Sequence, residues 1–174
     1  VDVETLRGGF AFVMKIANIN SSTTLYQRNF AAFDSILFHN SMVLFSVFLL
    51  AFFYRGYAAL LTLAWNACIW GLTLTLLFKQ SFGLAGTAPG YAAMLGIVAI
   101  LPHLLLEAVA YIMGAVAAIG VSKSLLWHKM TSSRFRLQIR RNFQVLAGAL
   151  IILVIAAVAE SYWAPALLDI IRGL

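Results

Sequence analysis

Pro102, His103 and Glu107 lie inside the stretch AILPHLLLEAVAYIMGAVAAIGVS, whose other residues are almost all apolar. On a helix, a spacing of four sets the imidazole and the carboxyl on one face. Such a pair can clasp two parts of a structure, offer two ligands to a metal ion, or stand on a path for ions or protons. Structural zinc takes four protein ligands and catalytic zinc three. The third histidine, His128, belongs to a basic segment, so the ligand count falls short. No metal and no cofactor are expected. Nucleophilic catalysis has less support still. There is no Gly-x-Ser-x-Gly elbow, and Cys68 has no polar base beside it. Glu160 stands at a span end next to Tyr162 and Trp163 and reads as exposed, leaving Glu107 without a buried carboxyl partner. The chain does not read as an enzyme.

Continuing from Glu107 along the same face gives Ala110, Gly114, Ala118 and Ser122. A small-residue row of this kind lets another helix approach closely, so the ionisable pair should face protein rather than lipid. Upstream, Thr62, Asn66 and Thr73 share one stripe, and an amide there needs partners. His39 and Asn40 precede a strongly apolar run. These residues predict a polar cluster in which Asn66, His103 and Glu107 meet, with His39 and Asn40 at or near its mouth. Each also has a plainer reading. His103 would cap the backbone freed by Pro102 and neutralise Glu107, Asn66 would bond between helices, and His39 and Asn40 would be interfacial anchors.

The elements that must position these residues are membrane helices. The chain is 63% hydrophobic and only 10% charged, with a mean hydropathy of +0.93, far from the balance of a soluble domain. Spans are predicted at about 36–54, 58–78, 92–121 and 142–159. The third is longer than one crossing needs and is expected to kink or break at Pro102, or to turn back there. Residues 1–35 read as an interfacial, amphipathic region, including a short apolar stretch interrupted by Lys15. The architecture expected is an all-α polytopic bundle, one domain over residues 1–174.

The net charge of +6 does not point to nucleic acid, because the cations cluster beside spans. Lys123, Lys129, Arg134, Arg136, Arg140 and Arg141 fall in segment 122–141, read as a basic loop on the cytoplasmic side. No cleavable signal peptide is evident, and the single cysteine forms no intrachain disulfide.

The order of these features resembles the stage II sporulation protein M family. "FHN" heads a span, "WNACIWG" carries a mid-span asparagine, and "ILPHLLLEAVAYIMGAVAAIGVS" follows. The family's Pro-His, with Glu four residues after the histidine and then a small-residue helix, falls on Pro102, His103, Glu107, Gly114 and Gly120. Its asparagine falls on Asn66, and its His-Asn pair on His39 and Asn40. Ala67 and Leu104 stand where the family usually has glycine, which implies wider helix separation. The resemblance implies a small multi-spanning protein of the bacterial or archaeal cell membrane, working with other membrane proteins and not known to catalyse a reaction. Its founding member belongs to the engulfment machinery of spore-formers, alongside peptidoglycan-remodelling partners. A scaffold acting as a homo-oligomer is expected, a small oligomeric transporter or channel component is the alternative, and a membrane-embedded metalloenzyme is remote.

Overall fold

A computed structural model describes residues 30–54, 56–83 and 89–167, with some side chains inside these ranges left out. The expected interfacial region before residue 30, the turn at Arg55, the side chains of Thr62 and Thr73, and the end of the tail lie outside the described parts. Among the described residues every regular element is helical: α1 (Phe30–Tyr54), α2 (Gly56–Gly83), α3 (Pro89–Trp127) and α4 (Ser133–Val158). A π-helical turn, Ala159–Trp163, continues α4 and leads into helical residues up to 167. A helix satisfies its own backbone, which is what an apolar sequence needs in lipid.

Among the described residues, three stretches are long and apolar enough to cross a membrane: Phe33–Tyr54, Met94–Trp127 and Ser133–Leu167. Within α2, the described apolar stretch is the shorter Leu63–Leu72. The chain is a helical membrane protein.

One sequence expectation is narrowed and one needs correction. Of the forms expected for the third stretch, the break and the turn back at Pro102 fall away and a single helix is left: α3 runs for 39 residues through the proline. At 1.5 Å per residue that is about 58 Å, nearly twice the ~30 Å hydrocarbon core. Proline removes a single backbone donor, and a helix in a bundle tolerates this when a neighbour supplies another. Segment 122–141 is likewise not a loop. Residues 122–127 complete α3, residues 133–141 open α4, and only 128–132 connect them. Lysine and arginine favour helix, so the basic residues extend both elements. The connection is pinned by Ser132, whose backbone N–H donates to Lys129 O at 2.9 Å. Its hydroxyl accepts the Phe135 N–H at 3.1 Å, capping α4.

α3 is the central element and packs on every other helix. Its small residues make this possible. Ala110, Ala115 and Ala118 meet Leu44, Val47 and Ala51 of α1 and Ala149 and Leu153 of α4 in one buried cluster around Tyr111. Gly114 lies under Leu44, where an added Cβ would run into the leucine Cδ1. Gly120 lies under Asn142 of α4 in the same way. Gly148 of α4 lies beside Met113, whose Cε would be 3.1 Å from an added Cβ. These pairings give the register. α1 runs parallel to α3, since Asn40 meets Glu107 and Leu44 meets Gly114. α4 runs antiparallel to it, since Met113 meets Gly148 and Gly120 meets Asn142.

Candidate functional site

Glu107 is the centre of the buried polar groups. It is 6% exposed, and its Oε1 accepts a hydrogen bond from Asn40 Nδ2 of α1 at 2.5 Å. The indole of Trp70, on α2, donates to the same carboxyl. One side chain of α3 thereby holds both α1 and α2. Asn66 is also buried and precedes Trp70 by one turn on the same face of α2. Tyr111, one turn beyond Glu107 and 1% exposed, closes the cluster on the side of the core.

His103 is buried at 4% exposure, on the face and turn expected. It does not neutralise Glu107, because no ion pair joins the two. Its Nδ1 is buried without a hydrogen-bond partner. His39 is exposed, whereas its neighbour Asn40 is buried and enters the cluster. Consecutive helical residues point about 100° apart, so only one of the His-Asn pair can face α3. Ala110, Gly114 and Ala118 are buried as their spacing implies, and Pro102 faces outward.

The carbonyl that Pro102 leaves without a donor is that of Val98, four residues earlier. His103 was expected to cap it. Trp163 does so instead, its Nε1 donating to Val98 O at 3.4 Å. Trp163 reaches that point from the π turn. Ala164 N–H bonds to Ala159 O, five residues back, and the hydroxyl of Ser161 donates to Ala157 O at 2.7 Å. Pro165 follows directly and supplies no N–H for continuing an α-helix, which explains the location of the wider turn.

The same turn brings in Glu160, which the sequence reading left exposed. It is half-buried, and its carboxyl lies within electrostatic reach of Glu107 and Tyr111. The available signal was Pro165, which marks a disturbed helix just where Glu160 would otherwise read as a span end. Among the described residues, no group of three or more His, Cys, Asp or Glu is arranged to hold a metal ion.

The indole cap is expected to be worth about 0.5–1 kcal/mol, because the bond is long and partly exposed. Trp163→Phe, which keeps the ring and removes the donor, should lower the unfolding midpoint in detergent by that modest amount. Pro102→Ala restores the helical donor, so in that background Trp163→Phe should cost almost nothing. An equal loss in both backgrounds would disprove the cap.

The family model of Stage II sporulation protein M matches residues 4–165. The chain belongs to this family. The match takes in every residue of the cluster, from Asn40 through Glu107 to Glu160 and Trp163. No curated protein and no solved structure matches the chain. In this stage II sporulation protein M family member, the two positions expected to hold glycine behave differently. Ala67 is exposed. Leu104 is buried in a second cluster with Ala99, Ile100 and Ala164, against which Trp70 and Leu74 pack. Leu104 thus fills space between helices beside the polar site.

Proposed function

We propose that this membrane protein is a non-catalytic organiser of a membrane complex, acting as an oligomer of helical bundles. The observation that carries the reading is the use made of Glu107: its carboxyl is engaged by α1 and α2 together, as a clasp that fixes three helices. A polar interior committed to holding helices suits a stable platform. Family membership supports the same reading. Because Gly114 and Gly120 are used inside the bundle, contacts between subunits would fall on the large apolar side chains outside, such as Phe45, Leu49, Leu105 and Ile112. The basic turn between α3 and α4 faces the cytoplasm on this reading. The test is chemical crosslinking in native membranes, followed by purification. Discrete multimers and recurring membrane partners are expected; a strict monomer with no partner would defeat the proposal.

One observation favours a second reading, a small transporter or channel component. His103 Nδ1 is buried and unpartnered one helical turn from Glu107, and intramembrane ionisable groups often mark a path. Flux into proteoliposomes decides it. A His103→Ala, Glu107→Ala double variant that folds should then abolish movement of protons or small ions, and wild-type protein without flux would remove this reading.

A further inference from the structure

Between Glu107 and Glu160 the sequence has no Asp or Glu, yet it carries Lys123, Lys129, Arg134, Arg136, Arg140 and Arg141. All six side chains are exposed. The described acids cannot serve them. Glu107 and Glu160 belong to the interior cluster, and Asp34 opens α1, whose parallel course beside α3 puts it at the opposite end of the bundle. Among the described residues these six cations therefore have no acidic partner.

The register concentrates these cations. Gly120 meets Asn142, Lys123 lies one turn beyond Gly120, and Arg140 and Arg141 immediately precede Asn142. These three therefore share one level, while Lys129, Arg134 and Arg136 occupy the tip of the hairpin. Large apolar side chains stand among them: Leu126, Trp127, Met130 and Leu137 are 65%, 81%, 68% and 51% exposed. The C-terminal end of α1 adds Phe53 and Tyr54 at the same end of the bundle. An acidic protein segment would answer the charge and leave these apolar groups bare. A headgroup layer answers both, with phosphates on the guanidinium and ammonium groups and upper acyl chains against the apolar side chains.

We propose that the α3–α4 hairpin is a binding surface for anionic phospholipid headgroups. The test uses the full chain in nanodiscs of phosphatidylcholine mixed with phosphatidylglycerol, with retained lipids counted by native mass spectrometry. Wild-type protein should retain phosphatidylglycerol at least tenfold over phosphatidylcholine. The combined Arg134→Gln, Arg136→Gln, Arg140→Gln, Arg141→Gln variant should bring this to twofold or less. Lys123→Gln with Lys129→Gln, which leaves α4 intact, should give an intermediate preference and guards against a folding defect in the larger variant. Equal retention of the two lipids by wild-type protein overturns the proposal, and binding of an acidic peptide in that case would assign the surface to a protein. An undiminished preference in both variants overturns it as well.

Discussion

Glu107→Ala should destabilise the bundle by about 2–4 kcal/mol, the largest effect expected of any single polar substitution. The buried Asn40 Nδ2 and the indole of half-buried Trp70 lose their acceptor together. A buried donor left unmade costs about 1–3 kcal/mol, although bonds between helices in lipid average less, about 0.6 kcal/mol. Glu107→Gln keeps an acceptor oxygen and should cost no more than about half as much. The distinctive outcome is the coupling. In a double-mutant cycle with Asn40→Ala, measured by unfolding in mixed micelles, the interaction should be about 1–2 kcal/mol. Strict additivity would show that the two side chains do not support one another.

The second large effect lies one helix face along. Gly114→Val would place a Cβ and two methyl groups against Leu44, a side chain only 2% exposed and itself enclosed by the core. Forcing volume into a packed site costs roughly 1–3 kcal/mol, and α1 would be pushed off α3. Gly114→Ala should cost less, because the leucine end can rotate partly aside. Leu44→Ala should be harmful alone yet relieve Gly114→Val, so the pair would be less damaging than the sum. A Gly114→Val protein with wild-type unfolding behaviour would remove the close approach from the account.

These two sites show what was legible beforehand and what was not. The four-residue step from His103 to Glu107 and the small-residue row beyond it fix a helix face, and a face rich in small and ionisable groups belongs against protein. Period alone therefore put Glu107, Ala110, Gly114 and Ala118 inside. It could not name partners. Glu107 takes Asn40 and Trp70 because α1 runs parallel to α3 and α2 lies beside both, a matter of tertiary register that no local pattern encodes. His39 and Asn40 are adjacent in sequence, yet the register of α1 on α3 buries only Asn40 at Glu107 and leaves His39 exposed. The basic segment was misread because a cluster of cations signals exposure, and exposed residues can be as helical as buried ones. The role of Trp163 was hidden by distance along the chain, since its acceptor is Val98.

The tie from Trp163 to Val98 also sets an order of events during synthesis. Chains emerge from the ribosome N-terminus first, so the Val98 carbonyl emerges before the indole that completes the backbone of α3. Until then one peptide oxygen at Val98 stays hydrated or bound to the insertion machinery. A product truncated before the π turn would keep that open carbonyl in α3.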